Sequence, residues 1–172
     1  MTPIQQLMLG VGGKKKTYID DVFCSYLRNS TGASAAVNNG IDLAGEGGLV
    51  WFKSRSHGYS SALIDTVRGT TKWLQSSSNI AEGTATGSAA ILSSFNSNGY
   101  TVGPDGTHGA SNYNDPTQQL VDWTFRKAPG FFTICEWDGN GNSSRNISHD
   151  LGCVPGLILV KAISGTNAGE LD

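Results

Sequence analysis

Three histidines and a few carboxylates are the residues of this chain whose types fit catalysis or metal binding. His57, His108 and His149 are far apart in sequence, and none has a second ligand at a spacing typical of a metal site. His149 precedes Asp150, but one adjacent pair lacks the third group that a catalytic triad requires. We therefore expect no catalytic residues, no bound metal and no cofactor.

A hydrolase is one alternative interpretation of the carboxylates. A glycoside hydrolase needs two carboxyl groups held a few ångströms apart in one cleft. The residues that could form such a pair are Asp65, Asp122 and Glu136. We rank this hypothesis below a role without catalysis.

A second alternative is a lectin-like module that binds glycans. Such a site needs exposed aromatic rings beside polar groups in a shallow groove. Trp51 and Trp123 lie in apolar runs, so we expect them to be buried. The better candidates flank turns or lie in an Asn- and Asp-rich loop. These predicted glycan contacts are Trp73, Trp137, Asn112 and Asn114.

The first 16 residues have the pattern of an anchoring tail. Ile4, Leu7, Met8 and Leu9 supply apolar side chains, and a run of glycines and lysines follows them as a flexible joint. The lysines come after the apolar residues, the reverse of a signal peptide, and the apolar run is too short to span a membrane. We expect these four residues to bind a neighbouring protein, with a frayed terminus as the alternative.

Composition and charge limit the remaining possibilities. Charged residues make up 15 % of the 172 residues and the net charge is −2, which argues against a nucleic-acid binder. The three cysteines, Cys24, Cys135 and Cys153, match no zinc or redox motif. Free thiols are typical of a protein made in a reducing cytoplasm. The 23 glycines, with many Ser, Thr and Asn residues, favour short strands joined by turns.

Apolar and β-branched runs predict many strands and no convincing helix. The run at residues 49–53 is almost continuously apolar, so we expect a strand buried on both faces. This pattern predicts an all-β fold, a β-sandwich of jelly-roll or concanavalin-like type. The predicted strands are residues 17–27, 49–53, 59–67, 70–74, 89–95, 100–102, 120–126, 131–137 and 157–163.

One segment of the sequence occurs twice. Residues 42–53 (DLAGEGGLVWFK) and 150–161 (DLGCVPGLILVK) align without a gap, 108 residues apart; we call them the first and second repeat segments. This spacing is the length of a small β domain. We predict an anchor at 1–16, a complete β module at 17–130 and a partial second module at 131–172. We expect residues 131–163 to add to a sheet edge of their own module or of a neighbouring subunit.

Several motifs, in order, resemble the repeated β modules of tail-fibre and other virion structural proteins of marine and cyanobacterial phages. The resemblance covers about residues 14–162. It implies a concanavalin-like or jelly-roll module repeated in tandem, usually in a trimeric appendage, and it implies no catalytic residues. The motifs are residues 18–27 (YIDDVFCSYL), 39–53 (NGIDLAGEGGLVWFK), 65–69 (DTVRG), 94–103 (SFNSNGYTVG), 123–132 (WTFRKAPGFF) and 149–161.

The leading hypothesis is therefore a phage virion structural protein, most directly a tail fibre or fibre-base component. It would attach through its N-terminal segment to other tail or capsid proteins and project its β module for host attachment. A capsid decoration protein is an alternative. The expected partners are those virion proteins, further copies of the chain in a homotrimer and a host surface glycan, without nucleic acid or membrane insertion. The expected location is the exterior of the virion.

Overall fold

The structure, a computed structural model, describes residues 17–85, 90–104, 106–108 and 111–164. The predicted anchor residues Ile4, Leu7, Met8 and Leu9 lie outside these ranges. Two single-turn helices precede strands, α1 (Ile19–Val22) and α2 (Leu43–Glu46). Neither these nor any other helix of the described residues is long and apolar enough to cross a membrane.

The described strands lie between residues 23 and 126. Strand prediction is confirmed for most of this region, although α1 takes the start of the predicted strand 17–27. The strands are β1 (Phe23–Asn29), β2 (Ala35–Asn38), β3 (Gly48–Ser54), β4 (Ala62–Asp65), β5 (Lys72–Trp73), β6 (Gly83–Thr84), β7 (Leu92–Asn96), β8 (Gly99–Val102), β9 (Thr107–His108), β10 (Ser111–Asn112) and β11 (Gln119–Arg126).

Two antiparallel sheets carry most of the fold. The four-stranded sheet has the order β1-β11-β3-β4, and the three-stranded sheet has the order β2-β8-β7. Both sheets contribute to one hydrophobic core, in which the Phe52 and Tyr100 rings meet edge to face with centroids 5.6 Å apart. The all-β prediction is confirmed. The finer assignment to a jelly-roll or concanavalin-like sandwich stays a prediction.

Strand β3 forms as the sequence predicted. Val50 and Phe52 are fully buried on the inner face, and Leu49 is also buried on the outer face. Asp42 begins the preceding turn α2, since its carboxylate accepts a hydrogen bond from the backbone N–H of Gly45 at 2.8 Å. The first repeat segment is therefore a capped turn followed by a core strand.

Trp51 and Trp123 are only half-buried, so their predicted burial is wrong in part. The reason is that the face of β11 that carries most of its apolar residues lies on the outside of the sheet, and the opposite face lies against the core. Leu120, Asp122 and Thr124 point into the core. Trp123 lies on the outer face opposite Trp51, and the two half-buried indoles meet at 5.5 Å between centroids. The register that places Asp122 opposite the core residue Phe52 fixes this choice, because neighbouring side chains alternate between faces.

The predicted strands 131–137 and 157–163 are wrong. Residues 131–164 contain no strand; their bridge positions are isolated, at Phe132, which pairs with Ala128, and at Lys161. Phe131 and Phe132 pack on Phe125 of β11, with ring centroids 6.5 and 5.4 Å away. A strand is stable only beside another strand, and this region has no continuous strand partner among the described residues.

Candidate functional site

A buried ion pair between Arg28 and Asp122 is the most concentrated charge in the described core. Arg28 of β1 donates from Nε to Oδ2 of Asp122 of β11 at 2.5 Å, and the Asp122 side chain has no exposed area. The hydroxyl of Tyr100, on β8 of the three-stranded sheet, donates to the same carboxylate oxygen at 2.7 Å. The cluster therefore joins the two sheets through one carboxylate.

The rest of the Arg28 guanidinium is also engaged. Its Nη1 donates to Ser30 Oγ at 3.0 Å and to Asn114 Oδ1 at 3.3 Å, and its Nη2 donates to the Tyr113 carbonyl at 3.0 Å. The guanidinium carbon lies 5.6 Å from the centroid of the Phe52 ring, a cation–π contact. All three guanidinium nitrogens thus bind the protein itself.

Burial controls the ionisation of this cluster. Loss of hydration raises the pKa of Asp122, while the Arg28 charge and the Tyr100 hydrogen bond act in the opposite direction. Burial, followed by the neighbouring Asp122 charge, raises the pKa of Tyr100 far above its ordinary value. Because the carboxylate lies between the sheets and is inaccessible to solvent, the cluster can hold the fold together but cannot reach a substrate.

A second charge cluster lies outside the core, beside β4. Asp65 bonds the guanidinium of Arg68, whose Nη1 also reaches Glu82 at 3.2 Å. Lys72 Nζ lies 3.1 Å from the other Glu82 oxygen. Asp65 also accepts the backbone N–H groups of Val67 and Arg68 at 3.0 Å, so the cluster fixes the turn after β4.

The carboxylates considered for hydrolysis are not brought together. Asp65 is opposite Leu49 on the outer face of the four-stranded sheet, whereas Asp122 is opposite Phe52 on the inner face. Glu136 is exposed in the region that follows the module. Asp65 and Asp122 each pair with an arginine on opposite sides of one sheet, so they do not face a common cleft.

The predicted glycan residues have different environments. Trp73 is only 7 % exposed and belongs to the core, so its predicted exposure is wrong. The reason is the β5–β6 ribbon, in which Gly83 lies so close that a Cβ there would be 2.1 Å from the Trp73 ring. Trp137 is 42 % exposed, as predicted.

The two asparagines of that prediction serve the loop before β11. Asn114 is buried, and its Nδ2 donates to the carbonyls of Ala33 and Gly103 at 2.9 and 2.8 Å. The half-buried Asn112 accepts the Asn114 backbone N–H through Oδ1 at 3.0 Å. Asn114 is therefore a structural residue that a glycan could not reach.

A shallow cavity of about 290 Å³ lies where the region after residue 130 leaves the module. Within it Thr133 donates its hydroxyl hydrogen bond to Asp150, which lowers the pKa of that exposed carboxyl. Lys127 Nζ lies 3.7 Å from Asp150, and Cys135 Sγ donates to the Ser148 carbonyl at 3.6 Å. The carboxylate that the sequence places beside His149 thus binds Thr133 and Lys127. The lining residues are Lys127, Thr133, Ile134, Cys135, Ser148, His149 and Asp150.

Residues 152–160, which we call the strap, present apolar side chains to solvent. The strap is tied at its start, where the Leu151 carbonyl accepts the Gly130 N–H at 2.7 Å, and past its end, where the Ile163 carbonyl accepts the Glu82 N–H at 3.3 Å. Lys161 Nζ also donates to the Ser78 carbonyl at 3.2 Å. The exposed apolar residues of the strap are Val154, Leu157, Ile158 and Leu159.

These contacts bear on the prediction that residues 131–163 add to a sheet edge of their own module or of a neighbouring subunit. The region does contact its own module, but through single hydrogen bonds, an ion pair and aromatic packing. A ladder on a sheet edge is not formed with any described residue. The pairing of Arg28 with Asp122 was not predicted, since Asp122 was considered only as a carboxylate for hydrolysis. A charged residue at an alternating position within an apolar strand is nevertheless a signal for a buried ion pair.

A family model described as "Domain of unknown function (DUF7483)" matches residues 20–171. No curated protein and no solved structure matches the chain.

Proposed function

Because the chain belongs to the DUF7483 family, a domain family of unknown function, we propose its role from its own residues: it is a structural protein of a phage particle. It is a tail fibre or fibre-base component on the virion exterior. Its N-terminal segment binds other tail or capsid proteins, and its β module projects outward for host attachment.

The observation that carries this proposal is the duplicated segment. The first repeat segment forms a capped turn and a core strand of a folded β module. The second recurs 108 residues later, the spacing of one module. Recurrence of this segment at the spacing of one module is what the tandem β modules of an extended appendage would give, and the motifs at residues 18–27, 65–69 and 123–132 resemble those of phage fibre proteins.

The use of the charged residues supports the same role. Arg28 and Asp122 join the two sheets, while Arg68 joins Asp65 to Glu82 outside the core. These arginine–carboxylate clusters engage Asp65 and Asp122, two of the three carboxylates considered for hydrolysis. These ion pairs cross-link the elements that they join, which favours a rigid module.

The proposal is tested in particles of the phage that encodes the chain. Mass spectrometry of purified particles should detect its peptides, and gold-labelled antibodies should mark the tail or the capsid surface. Absence of the chain from purified infectious particles would refute the proposal.

The anchor is tested separately by replacing Ile4, Leu7, Met8 and Leu9 with serine. Each large apolar side chain contributes about 1.5–3 kcal/mol when fully buried, so the variant should be lost from particles. A matched control replaces the three lysines at 14–16 with glutamine and should still be incorporated. Circular dichroism should show the same folded β module in both variants. Normal incorporation of the serine variant would contradict the anchor.

A further inference from the structure

The exposed large apolar side chains of the described residues fall mainly into two groups. One group is the strap, where Val154 is 91 % exposed. The other comprises Leu27 of β1 and two residues of the turn α1 that precedes it; we call this outer edge of the four-stranded sheet the β1 edge. Its exposed residues are Tyr18, Ile19 and Leu27.

The strap has the sequence of a strand but no ladder. Within the described part of the chain, no backbone hydrogen bond involves residues 152–160. Its residues Leu157 and Ile158 correspond to Leu49 and Val50 of the first repeat segment, which are both buried in β3. The first repeat segment therefore shows what such a sequence needs, which is a neighbouring strand and apolar cover on both faces.

The β1 edge offers both a neighbouring strand and apolar side chains on its two faces. Among the described residues β1 pairs only with β11, so the other side of its backbone is open. Cys24 and Tyr26, on its inner face, pack at the rim of the core and are only partly buried. On its outer face Leu27 is exposed. An edge strand normally carries charges or a proline that block pairing, and the outward residues of β1 carry neither.

The two surfaces fit each other as strand and edge. In an extended strap, Leu157 and Leu159 lie on one face and Ile158 and Val160 on the other. One face would cover Cys24 and Tyr26, and the other would cover Leu27. A strand that was apolar on one face only would leave one side of this edge uncovered.

The tie at the end of the strap makes this pairing intermolecular. The strap follows Leu151, held beside Gly130, and ends before Lys161 and Ile163, held at Ser78 and Glu82. Residues 78 and 82 follow β5, which is joined to β4 by the Leu63–Leu74 bridge. Since β4 and β1 are opposite edges of the sheet, the end of the strap is held away from the β1 edge of its own chain, whereas its start lies beside Gly130, which follows β11.

We propose that the strap of one chain adds as a strand to the β1 edge of a second copy of the chain. This proposal deepens the proposed function, on which it rests, by naming the contact through which copies of the virion protein associate. Because strap and edge are different surfaces, the contact is head to tail. It closes into a ring, such as the expected trimer, or continues as a filament.

The test uses the purified full chain in sedimentation velocity over a range of concentrations. The wild-type chain should associate as its concentration rises. A strap variant, Leu157→Asp with Leu159→Asp, and an edge variant, Tyr18→Asp with Leu27→Asp, should each weaken association by at least about tenfold. A control variant, Val67→Asp, changes an exposed apolar residue elsewhere and should associate like the wild type.

Mixing the two variants gives the decisive result. The strap variant keeps an intact edge and the edge variant keeps an intact strap, so the mixture should form a one-to-one heterodimer. A wild-type chain that stays monomeric, a strap variant that associates undiminished, or a mixture that stays monomeric would each overturn the proposal. These measurements need no phage particle, so their failure is distinguishable from absence of the chain from virions.

Discussion

The two repeat segments have nearly the same sequence pattern and opposite environments. In the first, Leu49 is 8 % exposed and lies in β3 between β11 and β4. In the second, the corresponding Leu157 is 78 % exposed and lies in no strand. The local sequence is therefore not sufficient to form the strand. Neighbouring strands convert the pattern into buried structure, as expected when β preference reflects packing more than backbone propensity.

The glycine shared by both segments shows the same dependence on neighbours. At Gly48 a Cβ would lie 2.1 Å from the Phe125 carbonyl oxygen, so β3 and β11 can approach only because this position has no side chain. At the corresponding Gly156 a Cβ would meet nothing within 4 Å. The glycine requirement at this position comes from the partner strand, which only the first segment has.

The largest expected difference between the segments comes from a buried charge. Val50→Asp should lower the free energy of unfolding by about 4 kcal/mol or more, because Val50 is fully buried. Ile158→Asp, at the equivalent exposed position, should change it by less than about 0.5 kcal/mol in the monomer. Urea denaturation followed by tryptophan fluorescence measures both. Equal losses would show that the strap is part of the cooperative fold.

The two aspartates with the most different environments give the next largest difference. Asp122→Ala leaves Arg28 buried without its counter-charge, which should cost about 3–5 kcal/mol of stability. Asp150→Ala removes only exposed contacts to Thr133 and Lys127, so the denaturation midpoint should change little. Replacing Arg28 and Asp122 together, by Met and Leu, should recover part of the loss in a double-mutant cycle. If the double replacement recovers no stability, the unpaired charge of Arg28 is not the cause of the loss in Asp122→Ala.

Alanine at the shared glycine tests the comparison directly. Gly48→Ala should lose about 1–3 kcal/mol, because backbone of β11 must move to admit the methyl group. Gly156→Ala should be nearly neutral in the monomer. Thermal unfolding of the two variants measures the difference. A neutral Gly48→Ala would mean that the β3–β11 spacing adjusts without cost.

The smallest expected effect is the pH dependence of the contacts that Asp150, just before the strap, makes with Thr133 and Lys127. The Thr133 hydrogen bond lowers the pKa of Asp150 below its ordinary 3.8, so its stabilisation is complete above pH 3.8 and is lost as the pH falls through the lowered value. Burial raises the pKa of Asp122, so the contribution of this residue to folding stability has the opposite pH dependence. It declines as the pH rises from 3.8. Acidification should therefore release residues 130–151 before the core opens.

Hydrogen exchange between pH 2.5 and 5 measures this order. The Gly130 amide, which bonds Leu151, should lose protection at low pH while the β3 amides keep theirs. Asp150→Asn should remove the pH dependence at Gly130 without affecting β3. Loss of protection in both regions at one pH would contradict a separate tie.

The sequence correctly predicted strands that are buried by neighbouring strands of their own module. The strand predictions were wrong where burial depends on a partner that the local sequence does not specify. Residues 49–53 were predicted correctly because a short apolar run needs cover on both faces. Residues 157–163 have the same pattern, but the partner that would make them a strand is not encoded locally. Trp123 was assigned to the core because three apolar residues alternate in β11, whereas the Arg28 contact turns Asp122 inward instead.

The candidate site was predictable only in part. The exposure of Trp137 followed from its place beside a turn, but the burial of Trp73 required the β5–β6 ribbon to fold over the core. The buried ion pair joins residues 94 positions apart, so the local alternation can mark each residue for burial but cannot identify its partner.

The pairing of β1 with β11 has a consequence for how the module is made and loaded. Phe23 lies opposite Phe125, so the chain enters and leaves the module at the same pole. During synthesis β1 cannot pair with β11 until about a hundred later residues have left the ribosome. Such a long sequence separation between paired strands predicts slow folding for a module of this size. Once folded, tension between entry and exit would open this ladder one rung at a time, beginning at the two phenylalanines.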